Sequence, residues 1–190
     1  VLWDDFINSY WRDWRTGDRS KDRDRLEEPA WLGQWMQEHA LEAPLPPDPT
    51  TLAQLKQLRG CLWAAVQQLV QGAVIEQALI ERLNLYMSKG PAIRQIAGSG
   101  DAGRRITLVP LYTGWEQIMS EIAASFAGVL LEKELSRIRI CENPDCLWVY
   151  YDDTRNRSKR YCDDKMCGNL IKVRRFRARK KAEEHDKNGL

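Results

Sequence analysis

The chain has 190 residues, 43% of them hydrophobic and eight of them tryptophan, which suffices for one generous domain or a medium domain with a small appendage. No run of 18 or more apolar residues could cross a bilayer, and the opening VLWDDFINSY lacks a basic start and a cleavage site, so a soluble cytoplasmic protein without a membrane partner is expected, although a start at Val1 leaves room for a trimmed upstream segment. The net charge of +2 hides an asymmetry: 16 basic and 18 acidic residues in 1–140 give −2, whereas 13 basic and 9 acidic in 141–190 give +4, the footprint of a nucleic-acid-binding appendage or of a solvated basic tail.

Trp3, Phe6, Ile7, Tyr10, Trp11 and Trp14 recur at spacings of three and four, which predicts an amphipathic helix over 3–14. The charged TGDRSKDRDR follows as a loop or short solvated helix. Pro29 fits the first turn of a second helix presenting Trp31, Leu32, Trp35 and Met36, with His39 as a capping charge near its end. Prolines 44, 46, 47 and 49 form a stiff connector, after which Thr50 or Thr51 can cap a long helix carrying Leu52, Leu55, Leu58, Leu62, Val66 and Leu69. A further helix over about 74–87 is expected to fold back on it across Gly72 as an antiparallel hairpin. Cys61, alone and upstream, reads as a small buried hydrophobe. PAIRQIAGSGDAGRRITLVPL alternates and is broken by Gly98, Gly100 and Gly103, which predicts two short strands and a glycine-rich turn. A last helix from Gly114 to about Leu135 carries Trp115, Ile118, Ile122, Phe126, Val129 and Leu130, and SRIRI leads into the cysteines.

Those cysteines form two C-x4-C pairs, CENPDC at 141–146 and CDDKMC at 162–167, separated by fifteen residues. Two short loops each presenting two thiolates suit one tetrahedral zinc held by Cys141, Cys146, Cys162 and Cys167. Four thiolates leave no position for an activated water, so the zinc is read as structural, with mononuclear iron or an iron–sulfur cluster as the rival. A module of about 50 residues gains folding energy from its metal that burial alone could hardly supply. The filled site carries a formal charge of −2, which Arg157, Lys159, Arg160 and Lys165 could compensate, while Trp148, Tyr150, Tyr151 and Tyr161 can pack around the knuckles or stack on bases.

After Cys167, GNLIKVRRFRARKKAEEH predicts a helix with Leu170, Val173 and Phe176 on a packed side and cations around them. Lys172, Arg174, Arg175, Arg177, Arg179 and Lys180 are the candidate nucleic-acid contacts, since basic residues at three- and four-residue spacing can follow phosphates. The alternative is a solvated helix that only keeps the protein dissolved or pairs with the acidic body, and the remaining partners are a membrane surface or an acidic protein.

CENPDCLWVYYDDTRNRSKRYCDDKMCGNLIKVRRFRARKK resembles the CGNR-type zinc finger, a bacterial module of paired C-x4-C knuckles. The eponymous run stands here as Cys167-Gly168-Asn169-Leu170, without the arginine, so a contact made by that arginine would be lost. The preceding region, through FINS, WLGQW and LNLY, is similar to the helical ABATE domain of stress-induced transcription regulators. The resemblance implies a sensing or assembly domain over 1–135 followed by a finger over 136–190.

The expected architecture is therefore mainly α: a multihelical N-terminal domain with a small β-hairpin, then a treble-clef-like zinc-knuckle module ending in a basic helix. Asn8, Trp35, Arg59 and Asn84 are candidates for a polar and aromatic pocket that could take a small-molecule effector. The expected function is zinc-dependent binding of duplex DNA in transcription regulation, with a homodimer suited to a long operator; the alternative is a zinc-stabilised protein-interaction or RNA-binding module. An enzyme is not expected, because the metal site is closed, there are only two histidines, and no nucleophile–base motif is present.

Overall fold

The computed structural model describes residues 1–98 and 103–188, with side chains as far as residue 184. The first helix, α1 (Leu2–Ile7), is half the predicted length. Asn8 ends it, and the chain continues as a short extended pair, β1 (Tyr10–Trp11) against β2 (Arg23–Asp24), in which Tyr10 faces Asp24 and Trp11 faces Arg23. The helical spacing of the later aromatics misled because Tyr10 and Trp11 are not core: guanidinium groups of Arg12 and Arg23 lie over their rings at 5.4 and 5.2 Å.

Helix α2 (Pro29–Glu38) opens on Pro29 as expected, and His39 closes it while its Nε2 meets Asp5 Oδ2 at 3.1 Å. The proline connector leads into α3 (Pro49–Val70), where Asp48, and not Thr50 or Thr51, is the cap. Its carboxylate accepts the amides of Thr50 at 2.9 Å and Thr51 at 3.1 Å. A proline in the first helical position places the cap immediately before it.

Gly72, at φ +79°, turns the chain, and α4 (Gln77–Met87) follows. The predicted hairpin with α3 is replaced by a different pairing, since α4 packs chiefly on α5 (Trp115–Glu132). Ser120 of α5 donates to the carbonyls of Met87 and Gly90, and a Cβ on Gly90 would sit 2.4 Å from that of Ser120. Between these helices β3 (Ala92–Ala97) and β4 (Arg105–Pro110) form the expected antiparallel hairpin, with Ile96 opposite Ile106. Gly98 at φ +104° starts its turn; Gly100 lies outside the described residues.

The core gathers Trp3 and Phe6 from α1, Leu32 and Trp35 from α2, Leu55, Leu58 and Leu62 from α3, Leu83 from α4, and Ile118, Ile122 and Phe126 from α5. Trp3 and Phe126 meet ring to ring at 5.3 Å. Burying each such side chain contributes about 1.5–3 kcal/mol. The same core takes in Ile138 and Val149, one from each strand of a third antiparallel pair, β5 (Ile138–Ile140) and β6 (Val149–Tyr151). This hairpin, unforeseen in SRIRI, carries the first cysteine pair at its turn and packs on α3 and α1. Among the described residues no helix is long and apolar enough to cross a membrane.

Candidate metal centre and nucleic-acid interface

The turn between β5 and β6 presents Cys141 and Cys146, and the segment after β6 brings Cys162 from a loop and Cys167 from a π-helical turn to the same point. The four sulfurs lie within 4.8 Å of one another, with Cys146 and Cys162 3.7 Å apart and Cys162 and Cys167 3.8 Å apart. A tetrahedron of sulfurs at ~2.3 Å from zinc has edges of ~3.8 Å, so the cluster can hold one zinc ion as drawn. With four thiolates the shell is full, as a structural site requires.

Thiol chemistry agrees. Bonds from Cys146 and Cys162 pull the Cys141 thiol down to about 2, while sharing those protons pushes Cys146 and Cys162 up. Cys167 is pushed up chiefly by burial. Four crowded sulfurs that cannot all ionise alone are what a dication resolves.

Asn143, fully buried between the first two cysteines, is a supporting residue that sequence reasoning passed over. Its amide nitrogen approaches Cys167 Sγ at 3.5 Å and donates to the Trp14 carbonyl at 3.1 Å, while its oxygen accepts the Asp145 amide at 3.1 Å. The last bond is an Asx turn, and the Asn-Pro-Asp run inside the knuckle was its signal. Amide donors to the metal-bound sulfurs spread their charge and orient the ligands.

The cations predicted to balance that charge are mostly engaged elsewhere. Arg157 pairs with Glu134 at 2.8 Å, Arg160 with Glu142 at 2.5 Å, and Lys159 lies over the Tyr150 ring at 5.1 Å. Lys165 is exposed. The four aromatics pack: Tyr150, Tyr161 and Trp148 around the cysteines, and Tyr151 against the main core.

One π-helical turn, Asp164–Gly168, carries Cys167 straight into α6 (Asn169–Asn188). Ile171 packs against the cysteine cluster, whereas Leu170 is half-buried and Val173 and Phe176 are exposed, the latter at 62%; the predicted packed side is corrected accordingly. The helix begins at the cysteine cluster, against which Ile171 is buried, and beyond that first turn Arg174 alone is half-buried among the described residues. Beyond it, Lys172, Arg175, Arg177, Arg179 and Lys180 face solvent. Arg174 differs, since its guanidinium donates to Asp145 Oδ2 at 2.7 Å and to the Arg15 carbonyl at 2.8 Å. Asp145 also meets Arg19 at 3.2 Å, so Arg174 tethers α6 to the loop after β1. Lys172 and Arg175 line a cleft of about 280 Å³ with Lys159, Arg160, Tyr161, Asp164, Thr154 and Ser158.

The residues proposed for a ligand pocket do not converge. Asn8 and Arg59 line one cavity, but Trp35 is buried in the core and Asn84 is exposed on α4. Asn8 has both amide atoms engaged with Val149, and Arg59 grips Asp24 through two bonds of 2.7 Å.

The model of the ABATE family, described as a putative stress-induced transcription regulator, matches residues 1–133. The chain belongs to the ABATE family. Its ABATE region is followed by a match to the CGNR zinc finger over 137–180, which spans all four cysteines and the start of α6. Neither is an enzyme family. No curated protein matches this ABATE chain.

Proposed function

We propose that this protein is a zinc-dependent, DNA-binding transcription regulator, with 1–135 as its sensing or assembly body and 136–190 as its DNA-binding finger. The observation that carries the reading is the arrangement of α6. Seven lysines and arginines and no acid occupy 169–182, and Lys172, Arg175, Arg177 and Arg179 have no carboxylate within ion-pairing distance among the described residues. Zinc holds the helix start, Arg174 sets its direction, and the free cations neutralise phosphates, with Lys159, Lys172 and Arg175 converging on one cleft. Leu170 takes the place of the arginine that the finger's name denotes, so duplex contact falls to the residues after it.

Exposed Val173 and Phe176 favour a second reading, in which α6 lays its apolar stripe and its cations on an acidic protein. Fluorescence anisotropy of the zinc-loaded chain with duplex DNA, single-stranded RNA and rising salt tests both. Duplex binding that falls with salt and weakens in Arg175→Ala and Arg177→Ala supports the regulator. Absence of binding to either nucleic acid at low salt overturns it in favour of the protein partner.

A further inference from the structure

A cavity of about 240 Å³ opens between the ABATE body and the finger, walled by Tyr10, Trp63 and Trp148 with Arg12, Lys56 and Arg59 at its polar side. The three cations are not equivalent. Asp24 holds Arg59 through two 2.7 Å bonds and meets Lys56 at 3.3 Å, and Glu27 pairs with Lys56 as well. Two carboxylates thus balance two cations. Arg12 has no carboxylate within ion-pairing distance among the described residues, and its guanidinium lies over the Tyr10 ring at 5.4 Å. Among the described residues no acidic side chain lines the cavity, which therefore keeps one uncompensated positive charge.

The walls select the rest of the ligand. Two half-buried indoles offer flat apolar surface, and the Asn8 amide is spent on Val149. An apolar cavity of ~150 Å³ takes one benzene, so this one has room for a single or fused aromatic ring and a short polar arm. Planar, fork-shaped arginine favours a carboxylate, which it can hold by two parallel bonds. Gly60 also faces this space, and a Cβ built on it would meet nothing within 4 Å.

From these observations we infer that the cavity binds a small aromatic carboxylate, its ring against Trp63 and Trp148 and its carboxylate on Arg12. Cys146 contributes to the same wall, so an occupant touches one of the four zinc-ligand residues directly. That such contact changes DNA binding rests on the function proposed above; the binding itself does not.

Isothermal titration of the zinc-loaded full chain with indole-3-carboxylate, benzoate, indole-3-carboxamide and inorganic phosphate tests the site without DNA. The carboxylates should bind, and the uncharged carboxamide and the Arg12→Gln variant should each weaken binding by about tenfold or more. Gly60→Leu should abolish binding while keeping the melting temperature, because it fills the cavity and replaces glycine within a helix. Lack of heat with both carboxylates at millimolar concentration overturns the inference. So does equal affinity for the carboxamide, phosphate binding as tight as the aromatic acids, or binding that survives in Gly60→Leu.

Discussion

Asn8 occupies both hydrogen-bonding groups of Val149, its amide nitrogen donating to the Val149 carbonyl and its oxygen accepting the Val149 amide, each at 2.8 Å and buried. One side chain thereby replaces a neighbouring strand along β6 and joins the start of the chain to the finger. Asn8→Ala leaves two buried backbone groups without partners, at about 1–3 kcal/mol each. A loss of about 2–6 kcal/mol in urea unfolding is expected. A change below about 0.5 kcal/mol, the scale of an ordinary surface substitution, would show that the bonds are replaced by water.

Metal removal should act locally first. Among the described residues the cysteine cluster packs only Tyr150, Tyr161 and Ile171, with Trp14 and Trp148 beside them, too little apolar surface to hold the knuckles unaided, while the main core is built from the helices together with Ile138 and Val149. Chelation is expected to abolish α6's fixed start and to lower its helicity, leaving much of the helical signal from 1–135. Cobalt in place of zinc should give the strong visible bands of a tetrahedral thiolate site, and Cys162→Ser should weaken them. Unchanged circular dichroism after verified zinc loss would show that the finger folds without metal.

The cysteine spacing made the metal legible because a four-thiolate shell needs nothing beyond two short loops brought together. The helices α2, α3 and α5 were legible for a similar reason: each buries one continuous stripe. What sequence could not show was how stripes choose partners. Leu83 of α4 could have met α3 or α5, and the close approach of Gly90 to Ser120 decides it. Asn8 does line the cavity at the junction, but sequence gives no sign that its amide is spent on a backbone 141 positions away. Val173 and Phe176 had helical spacing without a surface to cover them.

Asp24 supplies a pH-dependent part of the stability. Burial works against its charge, but two bonds from Arg59, together with the Leu26 amide and Lys56, outweigh it and hold the carboxyl below its ordinary value of 3.8. A carboxylate whose folded value is depressed stabilises the fold above the unfolded value and loses that contribution as pH falls through the folded one. Asp24→Asn should therefore melt lower than the wild type by a constant margin above pH ~5, and the two curves should converge as pH falls below ~4. Parallel curves down to acid pH would show that the charge of Asp24 adds nothing to the fold.

Arg174 and Arg177 sit one turn apart on α6 and should respond in opposite ways. Arg177 is exposed and has no carboxylate within ion-pairing distance among the described residues, so Arg177→Ala should leave the melting temperature unchanged and flatten the salt dependence of DNA binding by about 0.9 in log–log slope, the loss of one phosphate. Arg174 is half-buried on Asp145 and the Arg15 carbonyl, so Arg174→Ala should cost roughly 1 kcal/mol of stability. Its effect on affinity should come through a helix no longer held in direction, with the salt slope retained. If Arg174→Ala instead lowers the slope by the same amount as Arg177→Ala and leaves the melting temperature alone, its guanidinium leaves Asp145 for phosphate in the complex, and the tether belongs to the free protein only.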